Sequence, residues 1–195
     1  MIVAFFDFDG TITTKDSFLE FVKFTHGKRK AYTKLFANTI SILKFYTNNL
    51  NAQTLKEQLL TAFFKGISVE DFNNYCEAFC EKQLIHMLNT EALDKIKWHQ
   101  KEKHQVYIVS ASIFSWIEPW AKKNNIITIA TELEIIDHKI TGKLKTKNCK
   151  GQEKVNRILK TINIQNVTHS YGYGDSDGDK ELLDFVDEPF YRRFN

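Results

Sequence analysis

The feature that most constrains this sequence is an apolar run that ends abruptly in two acidic residues. Residues 2–6 are all apolar, and Asp7 and Asp9 follow directly, separated by one residue. A continuous apolar run that leads into a loop is typical of a strand buried on both faces, as in a parallel sheet between helices. The sequence therefore predicts a central strand that delivers two carboxylates to one edge of a sheet.

Two later segments end in the same way. Residues 106–109 form an apolar run that ends at Ser110, and a strand predicted over residues 167–173 leads into a loop with Asp175 and Asp179. Loops at the carboxyl ends of parallel strands meet in one crevice, so we expect these side chains to lie near the first acidic pair. Between the first two strands, from residue 17 to residue 86, apolar residues recur at helical spacings of three and four.

The paired carboxylates favour a site for a hard cation and a phosphate group. If the extended geometry persists, Asp7 and Asp9 point to the same side of the chain, and their repulsion is tolerable when Mg²⁺ lies between them. Asp175 is the natural further ligand. Gly10 suits a sharp turn or a close approach to phosphate, and Thr11 can offer a hydroxyl group and a backbone N–H.

Phosphoryl transfer through a carboxylate nucleophile would give each polar loop a role. Asp7 would attack the phosphorus in line and form an aspartyl-phosphate. Asp9 would protonate the leaving alkoxide and later deprotonate the attacking water, while Ser110 would hold a phosphoryl oxygen. A lysine of the helix predicted at residues 150–154 would balance the negative charge.

Four segments of the chain resemble the signature motifs of the haloacid dehalogenase superfamily of phosphatases, and they occur in the family's order. They are DFDGT at 7–11, VYIVSAS at 106–112, NCKGQEK at 148–154 and YGDSDGD at 173–179. The helical insertion directly after the first motif is similar to the phosphoserine-phosphatase-like branch, subfamily IB.

This resemblance implies an α/β fold in which a Rossmann-like parallel sheet core carries an inserted all-helical cap domain. Residues 1–14 and 88–195 would form the catalytic core, and residues 15–87 would form the cap. A chain of 195 residues is long enough for one such core and a small accessory domain.

The resemblance also implies a set of site residues. Mg²⁺ would be bound by Asp7, by the backbone carbonyl of Asp9 and by Asp175, and Asp179 would support the site. Ala111 would join the phosphate-binding residues of the second motif.

The third motif and the substrate stay open at this stage. Lys150 and Lys154 lie one helical turn apart, so either could be the catalytic lysine, and we favour Lys150. Asp16 matches an acidic residue that phosphoserine phosphatases place early in the cap, but no arginine lies between Arg29 and Arg157. Phosphoserine is therefore disfavoured among small phosphorylated metabolites, although a cap lysine could replace the missing arginine in part.

The composition indicates which partners and which cellular compartment to expect. The formal charge of +3 comes from lysines scattered among acidic residues, which does not indicate a nucleic-acid partner. Three cysteines without metal-type spacing favour a reduced, cytoplasmic setting. We expect no membrane span and no signal peptide, because apolar runs are short and the acidic motif begins too early. The sequence does not indicate an oligomeric state.

Other interpretations keep the same fold. The intermediate on Asp7 could pass its phosphoryl group to an acceptor alcohol, which would make the protein a phosphotransferase. The chain could also be a non-catalytic phosphate-binding module, since a fold alone does not fix a function. The many aromatic residues of the predicted cap, among them Phe36, Tyr46 and Phe64, are interpreted as its apolar interior, with a pocket for an apolar leaving group as the alternative.

Overall fold

The computed structural model describes residues 1–47 and 50–194. The strands are β1 (Ile2–Phe6), β2 (Gln105–Ile113), β3 (Ile127–Thr131), β4 (Leu133–Ile136), β5 (Lys139–Leu144), β6 (His169–Gly174) and β7 (Glu188–Tyr191). The α-helices are α1 (Ser17–His26), α2 (Lys28–Ala37), α3 (Thr39–Tyr46), α4 (Ala52–Phe64), α5 (Val69–Lys82), α6 (Thr90–Lys101), α7 (Phe114–Lys123), α8 (Gln152–Thr161) and α9 (Lys180–Phe185).

The predicted first strand lies at the centre of a parallel five-stranded sheet. The strand order is β3-β2-β1-β6-β7, and each neighbouring pair is parallel. Because successive side chains of a strand point to opposite faces, Val3 and Phe5 pack with residues of α8 and α9, whereas Ala4 and Phe6 join the core on the other face. The predicted α/β fold with a parallel sheet is confirmed.

Some element boundaries differ from the sequence-based expectation. Strand β2 continues beyond Ser110 to Ile113, with an irregular register between these two residues. Helix α6 is capped by Asn89, whose side chain accepts hydrogen bonds from the first turn. The edge strand β7 was not predicted, because it is short and contains Pro189, a residue that is disfavoured inside sheets.

Helices α1 to α5 form the helical block that the sequence predicted between β1 and β2. Its interior is aromatic: the ring of Phe21 lies 5.2 Å from that of Phe79 and 4.9 Å from that of Trp116 on α7, centroid to centroid. Phe36 and Tyr46 are exposed, so the interpretation of the aromatic residues as interior was wrong for these two. The proposed division of the chain at residues 14/15 and 87/88 stays a prediction.

The antiparallel hairpin of β4 and β5 lies against the helical block. The backbone N–H of Gly66 donates to Ile140 at 2.8 Å, and that of Ile140 donates to Ile67 at 2.9 Å. Gly142 has a φ of +85° and approaches α4 so closely that a Cβ there would lie 2.6 Å from the backbone nitrogen of Thr61. A glycine is therefore required at this contact. Within the described residues, no helix is both long and apolar enough to cross a bilayer.

Candidate active site

Asp7 lies directly beyond β1 and belongs to a buried ion cluster. Its backbone N–H donates to the carbonyl of Tyr173 at 2.8 Å, which ties the end of β1 to β6. Its carboxylate accepts a hydrogen bond from the Lys154 ammonium at 2.5 Å. The same ammonium pairs with Asp179, so one buried cation holds two buried carboxylates together.

The charges of this cluster shift one another's pKa values. Burial raises the pKa of Asp7 to about 7, although Lys154 opposes the change. Burial disfavours the charged form of Lys154, but Asp7 and Asp179 more than offset this, so its pKa lies above the ordinary value. For Asp179 the effect of burial is outweighed by the charge and the hydrogen bond of Lys154, which lower its pKa. The cluster thus keeps a permanent positive charge beside Asp7.

The lysine that contacts Asp7 is Lys154, which corrects the sequence-based preference for Lys150. Helix α8 begins at Gln152, so Lys154 lies in its first turn and is buried. Lys150 precedes the helix and is exposed, and its aliphatic chain packs beside Gly178, where a Cβ would lie 2.8 Å from Cε. The two lysines share a helical spacing in the sequence, but only one of them belongs to the helix.

Asp9 is held by hydrogen bonds from both the helical block and the sheet. Its carboxylate accepts the backbone N–H of Ser17 at 2.7 Å and the hydroxyl group of Ser112. The Ser17 hydroxyl lies 3.1 Å from that of Ser112 and accepts a hydrogen bond from the indole N–H of Trp116. Burial, assisted by the nearby charge of Asp16, raises the pKa of Asp9 to about 6.

The other predicted phosphate-binding residues lie around the same edge of the sheet. Ser110 is buried, and its hydroxyl group accepts the backbone N–H of Ser112 at 3.1 Å. The Thr11 hydroxyl donates to Asp175 at 3.3 Å. Gly10 has a φ of +79°, and a Cβ there would overlap the carboxylate of Asp175. The first-motif loop and the loop after β6 are therefore in direct contact, as the sheet topology predicts.

Three carboxylates converge at this edge and could hold a metal ion. Oxygen atoms of Asp7, Asp175 and Asp179 all lie within 4.8 Å of one another. Both Asp179 oxygens are engaged, one with Lys154 and the other with backbone N–H groups of its own loop. Burial and the charge of Asp179 raise the pKa of Asp175. Three carboxylates beside one ammonium leave negative charge uncompensated, and such an oxygen-rich site suits a hard divalent cation.

One lysine of the helical block reaches the site, although no sequence motif marks it. The Lys56 ammonium, on α4, donates to the carbonyl of Ala111 at 2.7 Å and to the side chain of Asn148 at 2.6 Å. Burial lowers the pKa of Lys56 to about 8, and the charges of Asp9 and Asp16 partly oppose that change. Both hydrogen-bond partners are neutral oxygen atoms, so no carboxylate contacts this cation among the described residues.

Asp16 lies at the rim of the site and caps a helix. Its carboxylate accepts the backbone N–H of Leu19 at 2.7 Å and so completes the first turn of α1. The side chain is exposed, and its charge influences both Asp9 and Lys56. The predicted contact of Asp16 with a substrate stays a prediction.

The family of this protein follows from its sequence. Residues 4–184 match the family described as haloacid dehalogenase-like hydrolases. The chain belongs to this family. The resemblance of the four motifs to this superfamily is thereby confirmed. Residues of these motifs meet beyond β1, β2 and β6 and at the start of α8.

Known proteins are similar to this haloacid dehalogenase-like hydrolase in sequence or in fold. The chain is 33% identical to protein CicA of Caulobacter vibrioides over 196 residues, which cover 100% of this chain and 86% of that protein. A protein of unknown function from Bordetella pertussis Tohama I superimposes with a TM-score of 0.83 at 22% identity, over 96% of this chain and 88% of that one. A phospho-aspartyl intermediate analogue of phosphoserine phosphatase gives a TM-score of 0.68 at 16% identity, over 96% and 84% of the two chains. The last two share the fold.

Proposed function

We propose that this haloacid dehalogenase-like hydrolase is a Mg²⁺-dependent phosphatase that acts on a small phosphomonoester through an aspartyl-phosphate at Asp7. The observation that carries the proposal is the contact of Asp7 with Lys154, beside the carboxylates of Asp175 and Asp179. A carboxylate that serves as a nucleophile toward an anionic phosphate needs fixed positive charge next to it, and Lys154 supplies such a charge.

The proposed reaction has two steps. A carboxylate oxygen of Asp7 forms a bond to phosphorus while the bond to the leaving alkoxide breaks, and Asp9 gives that alkoxide its proton. In the second step Asp9 takes a proton from water, the resulting hydroxide attacks phosphorus, and the bond between Asp7 and phosphorus breaks. The hydrogen bonds from Ser17 and Ser112 orient Asp9 for both transfers.

The residues that would hold Mg²⁺ are Asp7, Asp175 and the backbone carbonyl of Asp9. The cation would supply charge neutralisation for the phosphoryl oxygens. Asp179 would support the site by fixing Lys154 and the loop after β6, since both of its oxygens are already engaged. Ser110, Ala111, Gly10 and Thr11 would bind the phosphoryl group.

The position of Lys56 in the helical block favours a substrate whose leaving group carries a negative charge. Lys56 enters the site from α4 and faces only neutral oxygen atoms among the described residues. A half-buried ammonium with no carboxylate in direct contact attracts an anion. Lys56 would therefore bind an acidic group of the substrate, since no arginine lies between Arg29 and Arg157 to do so. A small phosphorylated metabolite with a second anionic group is the substrate class that this arrangement favours.

A panel of phosphorylated metabolites, assayed with and without Mg²⁺, tests the proposal. Asp7→Asn should abolish phosphate release, whereas Asp137→Asn, a matched change in the exposed hairpin turn, should leave it intact. Borohydride added during turnover should convert the Asp7 aspartyl-phosphate to homoserine, detectable by peptide mass spectrometry. Full Mg²⁺-dependent turnover by Asp7→Asn would contradict the mechanism.

Two other outcomes would change the assignment. A new phosphoester that appears when acceptor alcohols are added would identify a phosphotransferase with the same intermediate. Binding of phosphorylated metabolites without turnover of any of them would identify a non-catalytic binding module.

A further inference from the structure

Helices α2 and α3 form an outer arm, residues 28–46, in which the two helices follow one another almost without interruption. Asn38 joins them: its backbone N–H donates to Leu35, and its carbonyl accepts the N–H groups of Ser41 and Ile42. Because an α-helix has 3.6 residues per turn, side chains spaced by three or four residues along such an arm lie on one face.

One face of the outer arm is an exposed apolar stripe. Its members are the large side chains at successive spacings of four, four, three and three residues: Tyr32, Phe36, Ile40, Leu43 and Tyr46. Phe36 is 81% exposed, Ile40 70% and Tyr46 76%. Soluble proteins seldom expose a contiguous apolar patch of this kind unless it binds something.

The surroundings of the stripe are strongly basic. No aspartate or glutamate occurs from residue 21 to residue 56, whereas the same segment contains seven lysines and arginines. Lys28, Arg29, Lys30 and Lys44 are exposed, and the described residues contain no ion pair of any of them with a carboxylate. The outer arm therefore combines an apolar stripe with uncompensated positive charge.

We propose that the outer arm docks on a membrane surface that contains anionic lipids, with the stripe inserted at the level of the headgroups. Interfacial helices have this composition, with aromatic and aliphatic side chains on one face and lysines or arginines beside them. A second copy of the chain is disfavoured as the occupant, because it would bring two uncompensated basic segments together. The stripe lies on a convex helix face, which suits a flat, deformable surface. The proposal does not depend on the reaction at Asp7.

Sedimentation with lipid vesicles tests the proposal. The wild-type protein should bind vesicles of phosphatidylcholine mixed with phosphatidylglycerol far more tightly than vesicles of phosphatidylcholine alone. High salt should weaken the binding, because each basic residue contributes through a screened attraction. Equal binding to both kinds of vesicle, or no binding to either, would overturn the proposal.

Matched variants separate the two contributions. Phe36→Ser combined with Ile40→Ser should lower the partition coefficient about tenfold or more, since both side chains would lose their burial in lipid. Changing Lys28, Arg29 and Lys30 to Gln should lower the partition coefficient about fivefold for each charge removed at low salt. Ile135→Ser, an exposed apolar residue of the hairpin, is the control and should have no effect. Unchanged binding by the double serine variant would refute the role of the stripe.

A labelled variant gives an independent readout on the folded protein. The three native cysteines, Cys76, Cys80 and Cys149, are buried and free, so an environment-sensitive maleimide dye should react with an introduced cysteine. Dye at Phe36→Cys should shift to the blue when anionic vesicles are added, and dye at Ile135→Cys should not. Light scattering that showed a dimer, dissociated by Phe36→Ser and indifferent to vesicles, would assign the stripe to a second copy and overturn the proposal.

Discussion

The sheet core and the helical block each contribute one lysine to the site, and the pKa values of these two lysines shift in opposite directions. Lys154, from the core helix α8, is buried against two carboxylates, which raise its pKa. Lys56, from α4, is held by a carbonyl and a carboxamide, and burial lowers its pKa to about 8. The comparison shows how the same residue type can serve as an internal counterion in one place and remain available for a ligand in the other.

The largest effect is expected from a substitution of Lys154, the lysine of the sheet core. Lys154→Met should lower kcat by about 10²–10³-fold, because the transferring phosphoryl group loses a fixed positive charge. It should also lower the free energy of unfolding by roughly 3–5 kcal/mol, since two carboxylates would stay buried without their cation. Thermal unfolding with and without Mg²⁺ checks this, and bound Mg²⁺ should restore part of the loss. Lys160→Met, exposed on the same helix, is the control and should change neither quantity.

For Lys56, the lysine of the helical block, the expected effect is on substrate binding. Lys56→Met should raise KM about tenfold and leave kcat nearly unchanged, as expected when one charged hydrogen bond to the substrate is lost in both the ground state and the transition state. Lys143→Met, an exposed lysine paired with Glu57 close to α4, is the matched control. If kcat fell and KM stayed constant, Lys56 would belong with the catalytic groups and the contrast with Lys154 would disappear.

The two lysines should also respond differently to pH. Because the pKa of Lys56 is lowered to about 8, its positive charge is present below that pH and is lost as the pH rises through it. Asp9 and Asp16 favour the charged form, whereas burial and Lys150 oppose it. The KM of the wild-type enzyme should therefore rise above pH 8, and that of Lys56→Arg should stay level, since arginine keeps its charge. A wild-type KM that falls over this range would contradict the assignment.

The smallest effect is expected from the neutral partner of Lys56. Asn148→Ala removes one of two hydrogen-bond acceptors and no charge, so KM should change by about threefold at most. Steady-state kinetics on the same substrate check this. A change as large as that of Lys56→Met would mean that Asn148 itself contacts the substrate.

The sequence predicts the part of the site that depends on strand ends. Asp7 and Asp175 follow strands that neighbour each other in the sheet, so the rule for parallel strands was enough to bring them together. The lysine could not be assigned in this way, because helical spacing places Lys150 and Lys154 on one face. Only the start of α8 at Gln152 distinguishes them.

The remaining site residues depend on tertiary packing. Lys56 is one of many lysines in the sequence, and it becomes distinctive only because α4 packs beside the hairpin and the loop at Asn148. Ser17 follows the predicted Asp16, but its contact with Asp9 requires the turn into α1. The exposure of Phe36 could not be predicted from the sequence either, because an aromatic residue at helical spacing is usually interior.

The hairpin of β4 and β5 limits how the site can open. Its backbone is hydrogen-bonded to the segment between α4 and α5 through Gly66, Ile67 and Val69, and Gly142 lies against α4 without space for a side chain. A movement that separated α4 from the hairpin would have to break these bonds. The hairpin must therefore move together with α4 and the segment that follows it whenever these helices shift, so the two act as one rigid unit.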